Sequence, residues 1–194
     1  MDRIMGVITL KAPVYRQIAE DPAATKTAAI IVVLISIVRG FTQGLVQLDP
    51  NSGLFSTDFV RGVISAIIVG VLGIVAWVVG SWILAFVANM LGGKTNTQEM
   101  MRVTGYVAIF GIVSLLILLI VLLPVLGCLV GLMSLIVAIL SIIGYVIGVR
   151  EAAEFSTGKA IIAAIIAGIV NMLIVGILGG SLLAIFNPML GLGG

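Results

Sequence analysis

Five long apolar runs separated by short polar connections dominate this chain, and residues 103–149 contain no Asp, Glu, Lys or Arg at all. Crossing the hydrocarbon core takes about 20 mainly apolar residues as a helix, because every backbone polar group must be satisfied inside the segment. The pattern therefore predicts an all-α integral membrane protein with five transmembrane helices, near residues 28–48, 63–91, 103–123, 125–149 and 160–186. The second run is long enough to tilt or to reach into the interface.

The punctuation agrees with this division. Proline costs a helix interior a hydrogen bond and a clash but suits first turns and segments beyond helix ends. Pro13 divides the N-terminal segment, and Pro22 after Asp21 opens the first span. Pro50 ends that span, Pro124 separates the third from the fourth, and Pro188 ends the fifth. Gly92 and Gly93 close the second span, Thr95 with Gln98 fits a capping box for the third, and Ser156 or Thr157 caps the fifth. Small residues recur every four positions at Gly62, Ala66 and Gly70, at Gly127 and Gly131, at Gly144 and Gly148, and at Ala160, Ala164 and Gly168. Such spacing lets helix backbones approach closely in a bilayer.

Charge sets the expected orientation, since Lys and Arg in short connections are retained on the cytoplasmic side. With the N-terminus cytoplasmic, eight of the ten basic residues fall inside: Arg3, Lys11, Arg16, Lys26, Lys94, Arg102, Arg150 and Lys159. Only Arg61 falls outside, and the C-terminus is then extracytoplasmic. The turn at Pro124 has no polar marker, so residues 120–128 either complete two crossings or dip back and leave four. Three regions follow: a cytoplasmic segment 1–26, a five-span membrane domain 27–187, and a short apolar tail 188–194. No uninterrupted apolar core precedes Pro13, so the N-terminus is expected to be retained. Ile4, Ile8, Leu10, Tyr15 and Ile18 interleave with Arg3, Lys11 and Arg16, which suits either an amphipathic segment lying on the membrane or a cap packed over the helix ends.

Composition narrows the chemistry. Charged residues are 9% of the chain and apolar residues 61%, and the formal charge is +2. The scattered basic residues cannot neutralise several phosphates together, so nucleic acid is excluded as a partner. Histidine is absent, which removes Ser-His and Cys-His pairs and the commonest metal ligand. All eight acidic residues lie in termini or connections, so the spans lack the carboxylates of a proton relay. No catalytic residue, metal or cofactor is expected.

Arg39 is the sharpest polar feature. Gln43 and Gln47 follow at four-residue spacing and Ser36 precedes by one turn, placing all four on one side of a helix. An intramembrane arginine costs at least about 2.5–3.5 kcal/mol on insertion scales. Either the stripe faces the bundle and lines a hydrated groove or a lipid phosphate site, or Arg39 reaches the headgroups or pairs with Asp49 or Asp58. Asn171, alone in the fifth span, reads as interhelical glue or as a fourth member of this polar site. Trp77 and Trp82 read as space-fillers between helices.

Three segments, "MDRIMGVITLKAPVYRQIAEDPAATKTAAIIVV", "MRVTGYVAIFGIV" and "IIGYVIGVREAAEFSTGKAIIAAI", resemble in their order the Yip family, the Ypt/Rab-interacting multispanning membrane proteins, in its short prokaryotic form. The resemblance implies five spans, a cytoplasmic N-terminus, a prokaryotic cytoplasmic membrane and no enzymatic activity. Eukaryotic members are associated with Rab-type GTPases, but their Asp-Leu-Tyr-Gly-Pro motif is replaced here by Glu20-Asp21-Pro22. The proline expected after Gly105-Tyr106 is replaced by Gly111, and the Rab-binding role does not carry over. The chain is thus expected to be a binding or membrane-organising protein. It would contact lipids, and a protein partner or a second copy of itself, through the cytoplasmic basic residues. The alternative is a channel, lipid transporter or small-solute carrier using Arg39, Gln43, Gln47 and Asn171.

Overall fold

The computed structural model describes residues 2–48 and 55–189. Two short helices, α1 (Asp2–Ile8) and α2 (Ala12–Glu20), precede α3 (Ala24–Leu45) and α4 (Phe59–Met90). The third span is composite: α5 (Thr97–Val107), a 310 stretch (Ala108–Leu116) and α6 (Ile117–Leu122). A short 310 turn at Pro124–Leu126 leads into α7 (Gly127–Ala153), and α8 (Thr157–Met189) follows. Among the described residues five helices are long and apolar enough to cross a membrane.

Several boundaries move from their expected positions for local reasons. The α5 capping box is built by Asn96 and Glu99, not Thr95 and Gln98: Asn96 Oδ1 accepts from Glu99 N–H at 3.0 Å while Glu99 Oε2 accepts from Asn96 N–H at 3.2 Å. Gly92 adopts φ +84°. Its N–H donates to Asn89 O and that of Gly93 to Ala88 O, the paired Schellman bonds that glycine permits at a helix end. Pro188 lies within α8, which runs one residue beyond it. Between the first two spans the chain forms an antiparallel hairpin that the apolar pattern did not reveal, β1 (Val46–Leu48) on β2 (Phe55–Thr57), with Gln47 opposite Ser56. Pro50 and Asp49 lie outside the described residues.

The hairpin marks one end of the bundle and α1–α2 the other. Lys94 N–H donates to Ala153 O at 2.9 Å, joining the start of the third span to the end of α7 at the α1–α2 end. At the opposite end α6 touches both hairpin strands. The third span therefore runs the full length of the bundle before Pro124, and α7 returns.

The five spans pack as a ring in the order α3, α4, α8, α7, third span and back to α3. Small residues set the closest approach: a Cβ at Gly44 would collide with Ser65, and one at Gly40 would lie 2.5 Å from the Ser65 carbonyl. The Gly62, Ala66 and Gly70 set is buried on α4 facing α3, whereas the buried face of α8 is Ala160, Ala163 and Ala167, with Gly168 outside it. Gly127 and Gly131 meet nothing within 4 Å. Large apolar side chains such as Ile30, Leu34, Ile139 and Ile165 point outward, as lipid-facing surfaces require.

At the α1–α2 end the ring is filled. Tyr15, Ile18, Leu84, Met100, Val103 and Val149 are fully buried in one cluster. The N-terminal segment thus packs as a cap against α5 and α7. Its two helices are joined through Leu10 at φ +56°.

Candidate functional site: a polar cavity within the bundle

Below the packed cap the ring opens into a cavity of about 570 Å³ bordered by α3, α4, the third span, α7 and α8. This lies within the ~300–1000 Å³ typical of small-ligand sites. Its lining includes Ser36, Arg39 and Gln43 from α3, Trp77 and Ser81 from α4, Thr104 and Ser114 from the third span, Ser134, Ser141 and Tyr145 from α7, and Asn171 from α8. Lining residues of α3 run from Val32 to Gln43, about 16 Å of helix at 1.5 Å per residue.

A hydrogen-bonded floor closes the cavity toward the cap. Trp77 Nε1–H donates to Met101 O at 3.1 Å and to Thr104 Oγ1 at 3.2 Å, and Ser81 Oγ lies 3.0 Å from Thr104 Oγ1. Thr104 Oγ1 also donates back to Met100 O at 2.7 Å. Exposure rises from buried Ser81 to exposed Arg39 and Gln43, so the cavity is reached from the hairpin side. Gly80 lies beside Asn171, and a Cβ there would sit 3.2 Å from the Asn171 amide. Gly111 lies beside Arg39 in the same way, 3.4 Å from its Cδ. The glycine that replaces the expected proline makes room for Ile35, whose Cγ2 a Cβ would meet at 2.5 Å, and the Arg39 stem stays at ordinary van der Waals distance.

Two polar atoms in this region are buried without partners: Ser114 Oγ, and Asn171 Oδ1. An unmet hydrogen bond in an apolar setting costs about 1–3 kcal/mol, so these atoms are poised for a bound group or water. Arg39 makes no ion pair among the described residues, and no carboxylate lines the cavity. Asp58 instead caps α4, accepting from Arg61 N–H at 3.0 Å.

Of the expected polar site, Arg39 and Gln43 of α3 and Asn171 of α8, helices that are not neighbours in the ring, line one cavity. Gln47 does not join it: in β1 its Nε2 donates to Gly44 O at 2.8 Å, because the helix ends before the four-residue repeat reaches it. Sequence reading missed Ser114, Ser134, Ser141 and Tyr145. The seven-residue interval from Ser134 to Ser141 and the four to Tyr145 placed them on one face of α7, a signal available but weak among so many apolar residues. Trp77 packs between helices as expected, whereas Trp82 faces outward, 59% exposed and stacked on Phe86.

The second candidate region is the basic end, where all eight residues expected to be cytoplasmic gather. Four are engaged within the protein. Arg3 pairs with Asp21 at 2.6 Å, Arg16 with Glu20 and Glu154 at 2.8 Å each, and Arg150 with Glu151 at 2.6 Å. Arg102, 6% exposed, donates to Ala19 O, Thr25 Oγ1 and Gln98 Oε1. It is a structural clamp and is withdrawn from any surface role. Lys11, Lys26, Lys94 and Lys159 remain exposed. The Arg3 guanidinium holds the Asp21 carboxyl below the usual carboxylate range, helped by the Ala23 N–H. Burial pushes the Tyr15 phenol up to about 12.

The Yip1 domain matches residues 5–179. No curated protein and no solved structure matches the chain. That match covers most of the cap, all the residues lining the cavity and most of α8, in agreement with the order of motifs in the sequence. The chain belongs to the Yip1 domain family.

Proposed function

We propose that this protein is a multi-pass membrane binding protein without catalytic turnover, whose cavity receives the polar part of an amphipathic ligand from the surrounding bilayer. The observation that carries the reading is the cavity itself: Arg39, without an ion pair among the described residues, lines it together with Ser114 and Asn171, whose buried Oγ and Oδ1 have no partner among those residues. A site that only glued helices together would satisfy these groups among themselves. The chain has no histidine and the described lining no carboxylate, the groups that most often serve as general base.

The N-terminus is cytoplasmic and the C-terminus extracytoplasmic in this reading, because the basic end carries eight of ten cationic side chains. The exposed lysines there contact anionic headgroups of a prokaryotic cytoplasmic membrane. Gentle purification followed by native mass spectrometry tests the binding role. The wild type is expected to retain a non-protein ligand that Ser141→Leu, which fills the cavity, releases. Equal retention by both would contradict the reading.

A carrier is the second reading, and one observation favours it. The 310 stretch Ala108–Leu116 lines the cavity and spans nine residues, where such runs rarely exceed about four. Conversion to α-helix would shorten it by about 4.5 Å, from ~2.0 to ~1.5 Å per residue. A carrier would move its ligand across liposomes; a binding protein would not.

A further inference from the structure

We propose that the cavity is specific for a phosphate ester anion, the headgroup of an anionic phospholipid, with Arg39 as its counter-ion. This inference rests on the binding reading above and names its ligand class. Every other arginine of the five-span bundle and its cap, apart from exposed Arg61 beside the hairpin, is matched: Arg3, Arg16 and Arg150 by carboxylates, Arg102 by three oxygen acceptors. Arg39 alone faces a cavity that holds hydroxyls and amides but no negative charge. A cation with no counter-ion among the described residues favours an anion and repels a second cation.

The donors narrow the anion further. Ser114, Ser134, Ser141 and Tyr145 approach from two elements, and Arg39 from a third. A tetrahedral phosphate presents acceptor oxygens in several directions, and the planar guanidinium fork matches two of them. A planar carboxylate would leave much of this donor set unused. The unpartnered Asn171 Oδ1 needs a donor, which a headgroup hydroxyl supplies. Phosphatidylglycerol has both parts, and its acyl chains can remain among the outward-facing apolar side chains.

The test uses full-length protein in dodecyl maltoside, with Trp82→Phe so that Trp77, which lines the cavity, reports alone. Dihexanoyl phosphatidylglycerol, inorganic phosphate and phosphate-free dihexanoylglycerol are each titrated. Saturable fluorescence change with the first and not the third supports the proposal, and Arg39→Gln should weaken it at least tenfold. Equally tight saturation by inorganic phosphate keeps the phosphate chemistry but overturns the lipid source. Should Arg39→Gln not fold, Ser134→Ala with Ser141→Ala is measured instead and should weaken binding severalfold. If the neutral lipid binds as well as the anionic one, and Ser141→Leu blocks both, the cavity is a binding site but the anion assignment fails. If none of the three ligands gives a response, both the assignment and the binding reading fall.

Discussion

Arg102 reaches out of the third span to donate from Nη1 to the Ala19 carbonyl at 2.6 Å, tying α5 to the last turn of α2. The same guanidinium holds Thr25 at the start of α3, so one side chain fixes the cap, the first span and the third span together. Arg102→Leu should destabilise the protein by at least about 1.5–3 kcal/mol, the range for a hydrogen bond to a charged group. Thermal unfolding in detergent checks this, and Lys94→Ala, exposed at the same end, should leave the transition unchanged.

The cap should respond to pH at both extremes. Asp21 is held below its ordinary carboxylate range by Arg3, so this carboxylate's contribution is fully present above the unfolded value near ~3.9 and is lost as pH falls through the lower folded value. Tyr15 behaves oppositely. Its phenol, buried and donating to Val7 O at 2.9 Å, is pushed up to about 12, so its contribution persists below the unfolded value near ~10 and fades as pH rises toward the folded one. Hydrogen exchange of residues 2–20 should be slow between pH 5 and 9, as roughly bounded by those values, and Asp21→Asn should abolish the acid limb alone.

Glycines in the two halves of α7 should differ sharply. A Cβ at Gly148 would collide with Val103 and lie 3.3 Å from Tyr15 Cδ1, whereas one at Gly131 would meet nothing. Gly148→Ala should cost about 1–3 kcal/mol by overpacking. Gly131→Ala should be neutral or gain about 0.5–1 kcal/mol from helix propensity. Paired denaturation curves decide it.

The two tryptophans should see different surroundings. Trp82 stacks on Phe86 on the outer face and should be quenched strongly by brominated acyl chains. Trp77, bonded to Met101 and Thr104 inside the ring, should be protected. Single-tryptophan variants in bilayers of brominated lipid read this directly.

Much of the architecture was legible in the sequence because the bilayer simplifies the code. Length and apolarity located all five spans, Pro22 and Pro124 stood at span boundaries while Pro188 did not, and Gly92 marked its helix end. The exceptions depended on contacts. Asn96 captured the capping box from Thr95 because Glu99 stands three residues after it, and the hairpin at Val46 required a pairing partner beyond the span. Arg39, Gln43 and Asn171 were visible as isolated polar residues among apolar ones. That Gln47 would bond to Gly44 while Ser114, Ser134 and Ser141 joined the cavity depended on helix rotation and on the 310 stretch, which apolar periodicity does not encode. Arg102 counts as a basic connection residue in any charge tally, and only packing shows it buried.

Five spans enclose a polar cavity reached by water from the hairpin side. Cysteine accessibility in intact membranes tests it most directly, in a Cys128→Ser background that removes the exposed native thiol. Ser134→Cys and Gln43→Cys, both lining the cavity, should react with a membrane-impermeant thiol reagent from the hairpin side at least tenfold faster than Ile142→Cys, on the outward face of the same α7. Equal rates at all three positions, or labelling of the cavity positions only from the side of the basic cap, would contradict the account.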